Sequence, residues 1–212
     1  ATKFAVEKVE QTTLEELTRV SVWLRDIVHP NLAVKVNYSA YNDCDIIKIN
    51  TEYFNEGKKP VVLQKYMSAV LPIQSDNCVL MQLDGSVKNE CNESVIPLPV
   101  GVHNITTTTA SRIAQYHNAS FMLGLDGRLD ETNCPVIAGS LVWMGNFHFE
   151  FHNTLKSSAK TLFMGGINPA ASDYTLAGKQ SLVTPEMVFA YSTEGKGGVT
   201  RTLHRWARKY QL

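Results

Sequence analysis

Residues 139–153, GSLVWMGNFHFEFHN, contain the pattern that decides the fold class. In their second half the side chains alternate, with Phe147, Phe149 and Phe151 on one side and His148, Glu150 and His152 on the other. Alternation with a period of two is typical of a strand that is buried on one face only. Two further apolar runs, 162–167 and 187–191, are separated by turn residues rich in glycine and proline. The stretch therefore predicts a β-rich body.

The last part of the chain changes to a helical period. Apolar residues recur at helical spacing, at Val199, Leu203, Trp206, Ala207 and Tyr210. This pattern predicts one amphipathic helix over 199–210, in a position typical of a cap or of a connector to a further unit. The preceding Gly195-Lys196-Gly197-Gly198 lacks the full spacing of a phosphate-binding loop, so we interpret it as a turn before the helix.

The first third of the chain contains several alternating runs. Residues 18–26, 32–39 and 47–53 alternate, residues 61–71 follow as a returning strand, and turn residues such as those at 55–58 separate the runs. Consecutive hairpins of this kind predict a meander in an antiparallel sheet. Residues 79–83 and 116–123 predict further strands, and no repeat or flexible linker interrupts the chain. We therefore expect residues 1–212 to form a single β-sandwich domain.

Composition excludes several function classes. The 20 Lys and Arg residues balance the 20 Asp and Glu residues, whereas a nucleic-acid or anionic-membrane surface needs a basic excess. No apolar run approaches the roughly 20 residues of a membrane-spanning helix. The four cysteines, Cys44, Cys78, Cys91 and Cys134, include no C-x-x-C pair, which argues against a structural zinc site. We expect free thiols, and two disulfides stay open for an oxidising compartment. The compartment is left open, with a cytoplasmic location favoured.

His148, Glu150 and His152 are the first candidates for chemistry, because all three lie on one face of the predicted strand. The strand rise separates the two histidines by about 13 Å, too far for both to bind one metal ion. We interpret the face as solvated and polar, and we predict no metal site and no cofactor. No motif identifies a catalytic residue, so none is assigned.

Several short blocks occur in an order that resembles the N-terminal, non-catalytic domain of glycoside hydrolase family 36 alpha-galactosidases. The blocks are Leu80-Met81-Gln82-Leu83-Asp84-Gly85, Gly145-Asn146-Phe147, Gly166-Ile167-Asn168-Pro169, Thr184-Pro185-Glu186, Tyr191-Ser192 and the helix with Arg201, His204 and Arg205. The likeness extends from about residue 13 to the end of the chain. The family's domain usually begins further upstream, which implies that one sheet is incomplete in this chain.

The resemblance implies an all-β fold, a β-supersandwich of the galactose-mutarotase type with one C-terminal helix. It also implies that the helix leads into a (β/α)-barrel, which in that family carries the two catalytic aspartates of a retaining alpha-galactosidase. The barrel would be this chain's partner, and the parent enzyme would hydrolyse terminal alpha-galactosides. The chain alone is then expected to be an inactive accessory domain. A homo-oligomer is a further expectation if the helix presents its apolar face to the absent barrel.

The loop that ends in the 116–123 strand is our choice for a wall of the substrate site. Its candidate galactoside-binding residues are Arg112, Tyr116, His117 and Asn118, whose side chains can bind sugar hydroxyls or cover a ring. An ordinary surface loop is the alternative. Ala119 and Ser120 also depart from the H-N-P-F segment that the family often has here. Two other functions stay open. One is a carbohydrate-binding module that uses Trp23, Trp143 or Trp206. The other is a mutarotase-like enzyme with His148 as base and Glu150 as acid.

Overall fold

The computed structural model describes residues 2–109, 116–154, 160–170 and 173–212. Sixteen strands and one substantial α-helix occur in these ranges. The strands are β1 Phe4–Thr13, β2 Leu17–Asp26, β3 Leu32–Tyr41, β4 Ile46–Asn55, β5 Val61–Leu63, β6 Met67–Ile73, β7 Val79–Ser86, β8 Asn89–Pro97, β9 Gly101–Thr106, β10 His117–Gly124, β11 Val136–Leu141, β12 Phe147–Asn153, β13 Thr161–Ile167, β14 Tyr174–Leu176, β15 Ser181–Val183 and β16 Met187–Ser192. The helix is α1, Gly195–Tyr210.

The strands form two antiparallel sheets and a short ribbon. The large sheet has the order β1-β2-β3-β4-β16-β11-β10-β7-β8, with β15 also paired to β4. The small sheet has the order β6-β13-β12-β9, and β14 pairs with β5. The predicted meander is present as β2, β3 and β4, which pair in sequence order. The all-β fold class, with one C-terminal helix, is thus confirmed.

An aromatic core joins the two sheets. Phe147, Phe149 and Phe151 of β12 are fully buried, as is Phe163 of β13, while the intervening residues of β12 stay partly exposed. Phe121 of the large sheet lies within 4.8–5.7 Å of three of these rings, mostly edge to face, which is the favoured geometry for aromatic pairs. The alternation predicted from the sequence is therefore the inward and outward alternation of β12.

Helix α1 packs on the other face of the large sheet. Trp206 contacts Tyr41 edge to face at a centroid distance of 5.9 Å, and Tyr210 lies 4.5 Å from the same ring. Leu203 packs against the same cluster, together with Val188 of β16. The helix thus packs its apolar face on the sandwich itself. Self-association through this face was expected only if the face were presented to the barrel instead.

The helix begins four residues earlier than predicted, and the turn assigned to residues 195–198 is wrong. The backbone N–H groups of Gly195, Lys196 and Gly197 donate to the carbonyls of Cys134, Asp130 and Glu131, at 2.9–3.1 Å. A distant loop thereby satisfies the first donors of the helix, which no residue within the helix can reach. These contacts stabilise a first turn whose glycines have poor intrinsic helix propensity.

The strand predicted at 61–71 is two strands that belong to different sheets. β5 pairs with β14 and β6 pairs with β13, whereas β4 is paired by β3 on one side and by β15 and β16 on the other. A returning strand therefore has no free edge of β4 to pair with. Strands β1 and β8 were not predicted at all. All of β1 and most of β8 are exposed on both faces, which removes the alternation that marks a strand.

Candidate functional site

Three of the four predicted wall residues lie at the start of β10, and Arg112 lies outside the described residues. Tyr116 directly precedes the strand and is exposed, while His117 and Asn118 are its first two residues and are half-buried. β10 lies between β7 and β11 in the large sheet. His117 pairs with Asp84 of β7, but regular pairing with β7 resumes only at Phe121, and pairing with β11 begins at Ser120. The predicted residues therefore lie at the irregular start of the strand.

His117 forms a polar cluster with two residues of β7. Its Nδ1 lies 2.8 Å from Oδ1 of Asp84, and the Nε2 amide of Gln82 donates to Oδ2 of the same carboxylate at 2.8 Å. The side chains of the histidine and the aspartate are about one-third exposed. A carboxylate that fixes one imidazole nitrogen orients the ring, as in sites that bind polar ligands. Neither β7 residue was predicted for the site, since only strand pairing places them opposite β10.

Asn118 is turned away from this cluster. It accepts a hydrogen bond from the Ser120 hydroxyl at 2.9 Å, two residues further along the strand. Successive side chains of a strand point to opposite faces, so Asn118 and Ser120 share one face and His117 uses the other. The structure therefore does not bring His117 and Asn118 together on one surface.

Glu150 is the centre of a second cluster, on the outer face of the small sheet. Its two carboxylate oxygens lie 2.9 Å from Nε2 of His148 and 3.0 Å from Nε2 of His152. The ammonium of Lys65 also donates to both oxygens, at 2.8–2.9 Å. The two histidines are thus joined through the carboxylate that lies between them in the sequence. The lysine was missed because it precedes β6, a distant segment.

This cluster fixes the charge of Glu150. Partial burial acts to raise the pKa of the carboxyl, but hydrogen bonds from Lys65, His148 and His152 outweigh burial and lower the pKa to about 2. The carboxylate is therefore ionised at neutral pH, and its oxygens are occupied. Within the described ranges, no group of three or more His, Cys, Asp or Glu side chains is arranged to hold a metal ion. The four cysteines are free thiols in this structure.

The surface includes two apolar concavities, one of which is lined in part by Lys65 of the Glu150 cluster. The first, which we call the N-terminal cleft, has a volume of about 1270 Å³ and lies between β2, β3 and the β5–β6 segment. The second, the helix groove, has a volume of about 450 Å³ and runs beside α1 on the outer face of the large sheet. Its lining includes Met81, Leu83 and Met122 of the sheet and Leu203 and Ala207 of the helix. None of the helices described is long and apolar enough to cross a membrane.

The family described as the glycosyl hydrolase family 36 N-terminal domain matches this chain over residues 1–177. The chain belongs to this family. The match covers most of the large sheet and all of the small sheet, and it ends before β15, β16 and α1.

Curated relatives of this family 36 N-terminal domain are much longer proteins. Alpha-galactosidase C of Emericella nidulans is 24% identical over 181 residues, which are 85% of this chain and 24% of the relative. Alpha-galactosidase 2 of Pediococcus pentosaceus is 24% identical over 197 residues, which are 92% of this chain and 26% of the relative. The chain therefore spans about a quarter of the length of the curated relatives that it matches.

Solved structures agree with the family 36 fold. The alpha-galactosidase from Lactobacillus brevis superposes with a TM-score of 0.88 at 21% identity, over 99% of this chain and 30% of that one. The alpha-galactosidase AgaA from Geobacillus stearothermophilus gives a TM-score of 0.89 at 22% identity, over 98% and 30% of the two chains. A variant of AgaA has been solved in complex with stachyose. At these identities the likeness establishes the fold of the domain.

Proposed function

We propose that this family 36 N-terminal domain is the accessory domain of an alpha-galactosidase, and that a longer parent chain hydrolyses terminal alpha-galactosides. One observation carries the proposal. Relatives named alpha-galactosidase match nearly the whole of this chain, and they do so with only 24–30% of their own length. The remainder of such a parent chain has room for a separate catalytic domain, for which we propose the (β/α)-barrel of the resembling family.

The accessory domain is proposed to be inactive alone. Retaining hydrolysis needs two carboxyl groups about 5 Å apart, one as nucleophile and one as acid with a raised pKa. Glu150 is the glutamate most enclosed by donors, and its pKa is lowered to about 2. A carboxyl that stays ionised cannot protonate a leaving group. The same reason argues against a mutarotase-like reaction with Glu150 as acid, which an assay of galactose anomer interconversion would test.

Helix α1 is proposed to connect this single domain to the barrel. Trp206 and Tyr210 anchor it to Tyr41, so the direction in which the chain leaves the sandwich is fixed. Gln211, next to the end of the helix, lines the helix groove. Polypeptide that continues beyond residue 212 would leave beside this apolar groove, which suits a contact with the adjoining catalytic domain.

The decisive experiment compares the 212-residue chain with the full-length parent chain on raffinose. We expect the parent chain to release galactose and the 212-residue chain to release none above the blank. Turnover by the 212-residue chain would show that the catalytic pair lies within it. A full-length chain that folds but leaves raffinose, stachyose and a synthetic alpha-galactoside intact would overturn the assignment of the parent activity.

The start of β10 is proposed as a wall of the parent's substrate site, together with Arg112. The support is chemical: Tyr116, His117 and Asn118 are polar and at least partly exposed. Because His117 and Asn118 use opposite faces, only one of them is expected to reach the substrate. His117→Ala and Asn118→Ala in the parent chain should then differ, with one raising KM and the other matching the control Gln11→Ala on exposed β1. Unchanged KM in both variants would remove the wall and leave the accessory role intact.

A carbohydrate-binding role is the second candidate, and the exposure of Trp143 is the observation that favours it. Its side chain is 40% exposed beside Met144, which is 84% exposed. By contrast, Trp23 stacks on Phe54 and Trp206 is buried, so neither offers a free ring face. Calorimetry of the 212-residue chain with galactose tests this role. Heat of binding that disappears in Trp143→Ala would support it, and no measurable heat would reject it.

A further inference from the structure

The side chain of His117 is held by its neighbour across the large sheet. Its Nδ1 lies 2.8 Å from Oδ1 of Asp84, the β7 residue that the strand register places opposite it. A carboxylate accepts hydrogen bonds and donates none, so the proton of this contact belongs to Nδ1. A neutral imidazole that donates through Nδ1 carries a lone pair on Nε2. Asp84 therefore leaves Nε2 of His117 as a hydrogen-bond acceptor.

Gln82 holds the second oxygen of the same carboxylate. Its side-chain amide nitrogen donates to Oδ2 of Asp84 at 2.8 Å, from two residues earlier on β7. Both oxygens of Asp84 are thus occupied, one by the histidine and one by the glutamine. The hydrogen bond also fixes the orientation of the Gln82 amide, because a flipped amide would set its carbonyl oxygen against the carboxylate.

The carbonyl oxygen of Gln82 has no partner. This atom, Oε1, is buried and accepts no hydrogen bond from any residue that the structure describes. A buried oxygen without a donor destabilises a fold, and in native proteins such an atom is rare enough to need a reason. Stability alone does not explain the arrangement. It does supply the donor that keeps the Asp84 carboxylate, and through it the His117 ring, in place.

The three residues lie at the rim of the space between the two sheets. Phe121 of β10 belongs to the core between the sheets, and Gln82 is its partner in the register. Residues two apart on a strand share a face, so Asp84 and its cross-strand partner His117 belong to the same side. The His117 side chain is 37% exposed. Among the described residues none contacts its Nε2 through a hydrogen bond, so this nitrogen is open to a ligand.

Asn118 differs from His117 in both respects. Its side-chain oxygen is occupied by the Ser120 hydroxyl, and Ser120 lines the helix groove on the outer face of the large sheet. We propose that Asp84 and Gln82 are positioning residues, which present Nε2 of His117 as the acceptor for a hydroxyl group of the parent's alpha-galactoside. The proposal rests on the proposed function, because it needs the start of β10 to face the substrate. It goes further by assigning the sugar contact to His117 and not to Asn118.

Nitrogen-15 NMR of the imidazole tests the positioning on the 212-residue chain. At about pH 8, above the ordinary pKa of histidine, the wild-type His117 ring should carry its proton on Nδ1. In Asp84→Asn the Gln82 donor holds the introduced amide oxygen, so the amide NH2 faces Nδ1 and the ring proton should move to Nε2. Adding Gln82→Glu should restore the Nδ1–H form, because the introduced carboxylate accepts from that NH2 and turns the amide oxygen towards His117. A wild-type ring protonated on Nε2, or the same tautomer in wild type and Asp84→Asn, would overturn the positioning.

Steady-state kinetics of the full-length parent chain on raffinose test the contact with the sugar. His117→Ala and Asp84→Asn should each raise KM about three- to tenfold, the range of one hydrogen bond, with kcat within about twofold. Adding Gln82→Glu to Asp84→Asn should recover most of the lost affinity. A merely structural role would reduce the amount of folded enzyme, which lowers the apparent kcat and leaves KM unchanged. The control is Gln11→Ala on exposed β1, which should change neither constant.

Failure of this inference and failure of the proposed function have different signatures. A parent chain that hydrolyses raffinose with an unchanged KM in His117→Ala or in Asp84→Asn overturns the inference and leaves the proposed function standing. A raised KM in Asn118→Ala together with an unchanged KM in His117→Ala does the same. A parent chain that cleaves no alpha-galactoside overturns the proposed function and the sugar contact together. The imidazole spectrum of the 212-residue chain still decides in that case whether Asp84 orients the ring.

Discussion

Replacing Trp206 by alanine tests the docking of α1 on the sandwich. The indole is 9% exposed, contacts Tyr41 edge to face at 5.9 Å, and packs in a cluster with Ile46 and Val188. Its Nε1–H has no acceptor among the described residues. The side chain therefore contributes by burial and aromatic contact, and its removal breaks no hydrogen bond.

The expected loss follows from that environment. Truncation of a buried Trp to Ala costs about 3–5 kcal/mol through lost transfer energy and the remaining cavity. Trp206 lies at the margin of its cluster, so we expect about 3 kcal/mol. Trp206→Phe keeps an aromatic edge against Tyr41 and removes the unpartnered N–H, which is costly to bury. That variant should lose about 1 kcal/mol or less.

Urea unfolding of the 212-residue chain, followed by far-ultraviolet circular dichroism, measures both values. Trp143→Ala is the matched control, because the same change at a 40% exposed site removes less buried area and should cost clearly less than Trp206→Ala. The reasoning fails if Trp206→Ala loses less than about 1 kcal/mol, or if the two alanine variants are equally stable. A larger loss for Trp206→Phe than for Trp206→Ala would contradict the packing argument as well.

Three further predictions concern other parts of the chain. The Glu150 carboxyl has a folded pKa of about 2, below its ordinary value of 4.5, so its stabilisation is present above that ordinary value and is lost as the pH falls towards 2. Glu150→Gln should flatten the stability profile between about pH 5 and pH 2, and an unchanged profile would contradict the assigned contacts. Gly195→Ala should destabilise by about 1–2 kcal/mol, because φ is +67° and a Cβ would lie 2.6 Å from the Asp130 carbonyl oxygen. Gly197→Ala, whose Cβ would come within 3.0 Å only of a flexible Glu side chain, should cost less than about 0.5 kcal/mol, and equal losses would refute the difference. A thiol reagent should label exposed Cys91 in the native protein before buried Cys78, whose thiol pKa is raised mainly by burial; simultaneous labelling would show that the core opens readily.

Elements with one buried face could be predicted from the sequence, and elements without one could not. The alternation in 147–153 identified β12, because each phenylalanine meets the core and each intervening side chain does not. β1 and β8 carry no such pattern, since they lie at the two ends of the large sheet. Residues 61–71 read as one run, but the free edges available in space divide them between two sheets.

The candidate site shows the same division. The sequence indicated that His148, Glu150 and His152 share a polar face, and the structure confirms this placement. β12 pairs with β13, and β13 pairs with β6. This strand order brings Lys65, which precedes β6, within hydrogen-bond distance of Glu150. At β10, the sequence grouped His117 with Asn118 because they are adjacent, whereas strand geometry sends them to opposite faces.

Local sequence is sufficient to recognise the hydrophobic period of a strand or helix, the residues of a turn and the short blocks of a family. Each of these depends on residues that are close in the sequence. The sequence alone thus determined an all-β body, a C-terminal amphipathic helix and membership of the family 36 type. Only the tertiary structure decided which edges pair and which loop caps α1. Those outcomes depend on contacts between distant residues such as Cys134 and Gly195. Such contacts stabilise the chain only once it is folded, so no local sequence pattern indicates them.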